Sequence, residues 1–409
     1  DYRRVDLADY REAAVYGDGS LADVPAERTG RTLERYSFFA ELQAPLLPPR
    51  LLPRWLRSLH GDLAVRHVAS ANSNEVNTAP TFGLRAELPG GVLLRGSVTT
   101  SNRFPTPQLN RPVTAPGGPG GGLNREPIED PRRGGEDYDV VVDEAIDPGL
   151  PPEDAVTQTA GIVFERGDDH RFRASLDFVD TRKSNEILAL TARSLVNVED
   201  VFPDRVERGP LAPGDPHPVG RIQRLITGSV NASWRHSQTW NASAEYAWTG
   251  WLGGTLELRA RYFYYQRFER QLFANSPVVD QLRAPDGTDH DVPLMRHRMN
   301  FGAGWSNRRL GFGLDGHYYH SRVLPLAERA AQGADRIKPY WQFDAYVQAD
   351  LSRWLPWQNE RRRLRAQLRV NNLSDFDYPK YAGQDSGTGV QPYGDWRGRT
   401  YSLSVTATF

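Results

Sequence analysis

The residues with the most obvious chemical reach are two histidines three apart, His317 and His320, which enclose Tyr318 and Tyr319. On a helix that spacing would put both imidazoles on one side, as a metal pair needs. On a strand they point to opposite faces, so shared coordination requires the strand to end between them. A second candidate is GGEDYDVVVDEAIDPG, Gly134 to Gly149, where Glu136, Asp137, Asp139, Asp143 and Glu144 gather hard oxygens of the kind that hold calcium or a cationic ligand. It lacks the ligand spacing of an EF-hand loop, and a solvated acidic loop is the plainer reading. The run Gly117 to Gly122, broken by Pro119, has no following Lys-Ser/Thr and reads as a linker rather than a phosphate loop. The absence of cysteine removes disulfides, thiolate metal sites and thiol nucleophiles together. No Gly-x-Ser-x-Gly elbow occurs. These residues lead to no catalytic group, no metal and no cofactor; the expected chemistry is binding.

The 409 residues carry 50 basic and 51 acidic side chains, a formal net charge of -1. That balance argues against a broad basic face and hence against nucleic acid as a partner, because phosphate neutralisation supplies most of such affinity. The cations are almost all arginine, with lysine only at 183, 338 and 380. No run of eighteen uninterrupted apolar residues exists, which excludes a helical span and leaves a membrane β-barrel open. The chain opens at Asp1 without the charged and apolar regions of a targeting peptide, and this reads as a start that is not the natural one.

Side-chain polarity alternates with period two along most of the chain, the mark of strands whose faces see different surroundings. Tyr401, Leu403, Val405, Ala407 and Phe409 alternate with Ser402, Ser404, Thr406 and Thr408. Upstream, Leu364 to Val370 alternate with Arg365 and Arg369, and Leu256 to Tyr264 with Glu257, Arg259 and Arg261. The pattern predicts about thirteen strands, near 32–45, 58–71, 77–88, 92–101, 155–166, 170–187, 236–249, 254–270, 294–306, 310–321, 341–351, 363–370 and 401–409. Connections alternate in length. Short ones at 167–169, 250–253, 307–309 and 354–360 separate long ones at 102–154, 188–235, 271–293, 322–338 and 374–395. Tight turns at one rim and long loops at the other suit an all-β, antiparallel up-and-down transmembrane β-barrel with periplasmic turns and extracellular loops. The alternative is a soluble sandwich or propeller. Against it stand Glu257, Arg259, Arg261, Arg365 and Arg369, charged at mid-strand opposite long apolar faces, which makes them candidates to face a lumen. Trp240, Trp248, Trp305, Tyr340, Trp341, Trp354 and Trp357 fit interfacial girdles. Within one long loop, Glu186, Ile187, Leu188, Leu190 and Leu195 have helix-like spacing over 186–197, as for a surface helix or a ligand lid at the lumen mouth.

Three segments resemble a known family. VNNLSDFDYPKYAG (Val370 to Gly383) followed by GRTYSLSVTATF (Gly398 to Phe409) resembles the end of TonB-dependent outer-membrane receptors. Asn372, Leu373, Asp375 and Tyr378 match the motif turn that precedes the closing strand. PTFGLRAELPGGVLLRGSVTTSNRFPTP (Pro80 to Pro107) is similar to that family's mid-barrel hairpin, with its Arg-x-Pro at Arg103 and Pro105, and FPDRVERGP (Phe202 to Pro210) leading to GRI (Gly220 to Ile222) is a third likeness. The resemblance implies an outer-membrane barrel of about 22 strands with a plugged lumen. It also implies TonB-coupled import of a scarce small nutrient such as a ferric siderophore, cobalamin or a glycan, captured at the long loops. About thirteen strands fall short of such a barrel, and no plug or TonB-contacting box precedes Asp1. Residues 1–409 are therefore expected to be the C-terminal barrel portion of a longer receptor. The implied partners are outer-membrane lipid, the plug and TonB complex through the missing part, and the barrel-assembly machinery, which would read Tyr401, Leu403, Val405 and Phe409. Two other readings stay open: a passive porin-like channel and a secreted soluble all-β binding protein.

Overall fold

The computed structural model describes residues 2–6, 14–15, 21–22, 32–70, 76–105, 125–144, 150–273, 275–285, 294–352, 363–383, 387–390 and 397–408. One antiparallel meander dominates. Its strands are β1 (Tyr2–Asp6), β2 (Thr32–Pro45), β3 (Ser58–Ser70), β4 (Val76–Leu88), β5 (Val92–Arg103), β6 (Glu153–Arg166) and β7 (His170–Leu190). They continue as β8 (Ile222–Thr249), β9 (Thr255–Gln271), β10 (His297–Ser306), β11 (Leu310–Tyr319), β12 (Tyr340–Asp350), β13 (Arg363–Asn371) and β14 (Thr400–Thr408). Each pairs with its neighbours in this order. All thirteen expected strands are present, and β1 adds a fourteenth through Tyr2↔Tyr36 to Asp6↔Thr32. Among the described residues the count of meander strands is thus even. Among the described residues β1 and β14 do not pair, so the sheet has two free edges.

Register turns the alternation into two chemically distinct faces. One row across the sheet reads Leu94, Ile162, Leu176, Ala242, Tyr262, Met299, Tyr318, Trp341. The adjacent row reads Arg95, Gly161, Asp177, Asn241, Phe263, Arg298, Tyr319, Tyr340. A slip of one residue in any strand would carry its charged set to the apolar side, so the pattern specifies the pairing strongly. Large apolar groups on the first face stand exposed, Phe82 at 57% and Leu403 at 71% among them. A soluble sandwich would cover such a face with a second sheet; none is present among the described residues. Two of the short turns need glycine. At Gly91 (φ 85°) and Gly167 (φ 102°) an added Cβ would lie 1.9 Å from the carbonyl oxygens of Glu165 and His170 respectively.

At the long-loop end the chain departs from the expected layout. The segment 188–235 is not one loop, because β8 already begins at Ile222 and β7 runs on to Leu190. The first part of β8 leaves the meander and pairs with Val206–Arg208 on one side and, in parallel, with Glu136–Glu144 on the other. Glu136–Glu144 forms a hairpin with Arg125–Asp130, closed by the 3₁₀ turn Pro131–Arg133. The helix expected from residue 186 is only α1 (Ala192–Asn197), capped at Thr191, whose hydroxyl accepts from the Ser194 amide at 3.2 Å. Residues 187–190 instead pair with β8, from Ile187↔Asn231 to Leu190↔Gly228, after a bulge near Asn185. Tertiary pairing overrides their helical spacing. These pieces share a core of Ile128, Val140, Leu190, Leu195, Ile222 and Leu225, with Leu195 and Leu225 fully buried. The result is a folded cap.

Ion pairs lock this cap. Asp130, fully buried, accepts from Arg208 at 2.8 and 3.0 Å, from the Tyr138 hydroxyl at 2.6 Å and from the Arg132 amide at 3.1 Å. Arg208 also holds Glu199 at 2.7 and 2.9 Å. Arg133 reaches Glu136 at 2.6 Å and Asp215 at 2.9 Å. Neither the solvated loop nor the calcium loop describes 134–144: Glu136 also pairs with Arg221, and Asp143 with Arg224. Residues 145–149, the rest of the acidic stretch, and the glycine run 117–122 lie outside the described residues. Burial pushes the Asp130 carboxyl up, but the bonds from Arg208 and Tyr138 outweigh it and hold the group below the ordinary carboxylate range. Burial and the same carboxylate push the Tyr138 hydroxyl up to about 12.

Breaking a buried pair by removing one partner costs about 3 kcal/mol, because the other charge stays buried. Arg208→Met should therefore lower amide-exchange protection across 125–144 roughly a hundredfold at neutral pH and leave β9 to β11 unchanged. A depressed folded pKa contributes stability that is complete above the unfolded value of about 3.9 and lost as pH falls through the folded one. Cap protection factors, corrected for intrinsic exchange, should stay flat from neutral pH down to the carboxylate range and then fall before those of the meander do.

Candidate functional site

The polar face of the meander is built from alternate residues of each strand. On β9, Glu257, Arg259, Arg261 and Phe263 share it, while Leu256, Leu258, Ala260 and Tyr262 take the other side. Three of the five charged candidates thus stand side by side on one face; Arg365 and Arg369 of β13 join the same face through Asp350↔Arg365 and Tyr346↔Arg369. The row through Arg259 is nearly all charged: Glu165, Arg173, Glu245, Arg259, Gly302, Asp315, Asp344. Signs alternate until Asp315 meets Asp344, and there Arg369 comes within 3.7 and 3.8 Å of the two carboxylates. Arg261 lies 3.8 Å from Glu245.

Two arginines in this wall reach across a whole strand, and in each case the strand between contributes glycine. Arg95 on β5 holds Asp177 on β7 at 2.9 and 2.8 Å, passing over Gly161 of β6. A Cβ on Gly161 would lie 2.0 Å from the Asp177 oxygen. Arg259 on β9 holds Asp315 on β11 at 2.5 Å over Gly302 of β10, where a Cβ would sit at 2.5 Å from the Asp315 oxygen and 2.9 Å from the Arg259 nitrogen. Arg95, Asp177, Asp315 and Asp344 were not singled out from the sequence, although strand parity alone would have put them beside the five that were.

Toward the cap the polar face carries a buried charge cluster. Glu153 and Glu186 are under 10% exposed. Around them stand Arg103 at 3.7 Å, Lys183 at 2.9 and 3.0 Å, Arg235 at 3.0 Å and Arg270 at 3.6 Å. Arg103 is the arginine of the Arg-x-Pro element; Phe104 and Pro105 behind it are buried. Further along the same strands lies a recess of about 410 Å³, lined by residues that include Asp177, Asn241, Arg261, Phe263, Arg298 and Tyr319. The Arg298 guanidinium sits 4.9 Å over the Phe263 ring, Phe263 meets Tyr265 edge-on at 4.7 Å, and Tyr319 stacks on Tyr340 at 4.6 Å. Cationic donors beside aromatic faces suit an anionic or π-rich guest. The described lining offers binding groups and no nucleophile with an adjacent base.

The motif turn has a structural task. Asn372, 1% exposed with φ 51°, donates its amide to Asp344 at 2.9 Å, while its side chain closes a ring with Phe376 through two bonds of 2.9 Å. The Leu373 amide reaches the Phe343 carbonyl, and Asp375, also left-handed at φ 53°, accepts from the Arg399 amide at 3.2 Å. Tyr378 bonds Gln342 and packs edge-on against Tyr340. The turn ties β12, β13 and the start of β14 together. On β14, Tyr401, Leu403 and Val405 project exposed from the apolar face; Phe409 lies outside the described residues.

The two histidines are not brought together. His317 stands on the polar face bonded to Asn300 at 2.8 Å, whereas His320 follows the end of β11, takes the Tyr318 hydroxyl at 3.0 Å and packs its ring on His297. Among the described residues no group of three His, Asp or Glu is placed to hold a metal ion. Of the girdle candidates, Trp240, Trp248, Trp305 and Trp341 lie on the apolar face. Tyr340 does not. Parity puts it on the polar face, 2% exposed beneath Phe376 and Tyr378. Trp354 and Trp357 fall outside the described residues. From Trp240 to Trp248 on β8 the strand rises about 27 Å, close to the height of a lipid-facing band.

The family described as TonB dependent receptor-like, beta-barrel matches residues 1–373. A comparison with curated protein sequences found no match. Among solved structures, a mutant of the ferric enterobactin receptor PfeA from Pseudomonas aeruginosa superposes with a TM-score of 0.58 at 15% identity, over 94% of this chain and 46% of that one. The siderophore receptor PirA from Acinetobacter baumannii gives 0.55 at 15% identity, over 96% and 48%. The outer-membrane transporter YddB from Escherichia coli gives 0.56 at 11% identity, over 97% and 48%. The chain spans just under half the length of these three proteins. On the family match it belongs to the TonB-dependent receptor β-barrels, and with them to the bacterial outer membrane.

Proposed function

We propose that this chain forms the C-terminal wall and ligand-capturing mouth of an outer-membrane active importer of a small nutrient, energised through TonB. The observation that carries this reading is the division of the same strands between an apolar face and a face of paired charges. The apolar face meets lipid. The polar face lines a lumen whose charge row seats a plug, and the cap with its neighbouring loops gathers the ligand at the outer side. Glu257, Arg259, Arg261, Arg365 and Arg369 are then lumen residues. Tyr401, Leu403 and Val405, with Phe409, serve the barrel-assembly machinery as an apolar terminal signal.

Of the nutrient classes, a siderophore-type chelate fits best, with Arg261 and Arg298 meeting its anionic groups and Phe263 and Tyr319 its π-surfaces. The siderophore receptors among the similar structures support that choice. Cells expressing the receptor in its natural length should accumulate a labelled ferric siderophore from a panel, and accumulation should stop when TonB is removed or the proton gradient is collapsed. Uptake that persists without TonB would indicate a passive channel. With the transported compound in hand, Arg298→Ala and Arg261→Ala should each weaken binding about tenfold or more, the usual loss of a charged hydrogen bond, while the heat-modifiable mobility of the folded barrel stays unchanged.

A further inference from the structure

The turn between β2 and β3 differs from four others at the same rim. Those at 89–91, 167–169, 250–254 and 307–309 are tight, whereas 46–57 inserts the sequence LLPPRLLPRWLR; the connection 351–362 is as long, but most of it lies outside the described residues. It carries Arg50, Arg54 and Arg57 and no acidic residue. Its three prolines stiffen it, so less entropy is lost when it is ordered. A 3₁₀ turn at Pro49–Leu51 is closed by the Leu51 amide on the Pro48 carbonyl at 2.9 Å. The exit is fixed by buried Leu56 and by the Arg57 amide on the Glu87 carbonyl at 2.7 Å.

The turn folds toward the apolar side of the sheet. Leu46 donates its amide to the Leu59 carbonyl at 2.8 Å and lays its side chain over Gly61, where an added Cβ would meet the leucine methyl at 2.8 Å. Gly61 pairs with Ala44 and Leu84, both on the apolar face. The lipid-facing surface of Leu42, Leu63 and Leu84 therefore continues downward into Leu46, and beyond it Leu51 at 69% and Trp55 at 65% stand exposed. Short turns of an outer-membrane barrel lie at the periplasmic rim. Apolar groups continuous with the lipid band, a tryptophan at its edge and three cations with no acidic residue in the turn are the composition of an interfacial anchor.

We propose that residues 46–57 bind anionic phospholipid of the periplasmic leaflet, with Leu46, Leu51 and Trp55 at the acyl boundary and Arg50, Arg54 and Arg57 on phosphates. The proposal rests on the membrane-barrel reading, and the test separates the two. These 409 residues have no cysteine, so once any cysteine elsewhere in the natural-length receptor is replaced by serine, single replacements here can carry an environment-sensitive fluorophore in the receptor reconstituted into phosphatidylcholine vesicles with or without phosphatidylglycerol. Leu51→Cys should emit at the blue-shifted wavelength of a lipid site, as Leu42→Cys does, while Asp168→Cys in another short turn stays aqueous. Quenching at residue 51 by spin-labelled phosphatidylglycerol should exceed that by spin-labelled phosphatidylcholine several-fold. Each surface arginine contributes roughly fivefold to the local preference for anionic lipid, so Arg50→Gln with Arg54→Gln and Arg57→Gln should bring that ratio to one. Aqueous emission at residue 51 beside lipid emission at residue 42 overturns the anchor, as a site for a periplasmic protein would produce. A ratio of one before any arginine is replaced overturns the anionic preference. Aqueous emission at residue 42 instead overturns the barrel reading itself.

Discussion

Every backbone N–H and C=O that crosses a hydrocarbon layer must find its partner within the protein, and here the antiparallel ladder is what supplies them. That requirement fixes the strands before any side chain is considered. Once they pair, each has two faces and only two surroundings to offer them, lipid and a wetted interior. The row from Leu94 to Trp341 and the row from Arg95 to Tyr340 are neighbouring positions of the same ladder. Polarity and register therefore enforce each other, since a slipped strand would bring arginines into hydrocarbon at a cost of about 2 to 4 kcal/mol each at mid-depth.

The polar face has its own problem, because charges packed on a sheet must be neutralised by groups on other strands. Adjacent pairing solves it for Glu165 with Arg173 at 3.9 Å. Arg95 with Asp177 and Arg259 with Asp315 solve it across two strand spacings, over about 10 Å, which only a long side chain can bridge. Gly161 and Gly302 are the condition for both. An ordinary side chain at either position would occupy the place of the ion pair. These glycines sit in regular strands, where glycine weakens the ladder, and the close approach of the two side chains explains their presence.

The thirteen strands were legible because each carries a long two-faced alternation bounded by turns, and the boundaries fall within a few residues of the observed ones except at β8. The cap was not legible, for a physical reason. Ile222 and Leu225 are both buried although three apart, and Val140 and Val142 sit in a hairpin flanked by charges that read as a solvated loop. A strand buried on both sides loses the alternation that identifies it. The ion pairs of Asp130 with Arg208 and of Arg133 with Asp215 join residues about eighty positions apart, and local pattern cannot anticipate them. In the polar wall the reverse holds: parity put Arg259, Arg261 and Arg369 on one face of the sheet, where the ladder has them, and what escaped was which carboxylate each would meet. The motif turn was legible only through resemblance, since left-handed Asn372 and Asp375 leave no period to read.

Continuity of β7 and β8 determines how the cap relates to the wall beneath it. β8 is a single strand of 28 residues and β7 one of 21, and their pairing runs from His170↔Trp248 at the short-turn rim to Leu190↔Gly228 beside the cap core. Its irregularity lies beside Asn185, where the register shifts and then resumes. Swinging the cap relative to the wall would require breaking that ladder and the core that Leu190 and Leu225 share. Apart from the cap core lie the small paired segments Arg322–Val323 with Arg336–Ile337 and Lys380–Gly383 with Gly387–Val390, which bury Leu324 and Ile337 and set Arg322 4.6 Å over the Tyr381 ring. Local opening is cheapest where few buried contacts hold a segment. The cap has many, so it moves only with the barrel wall.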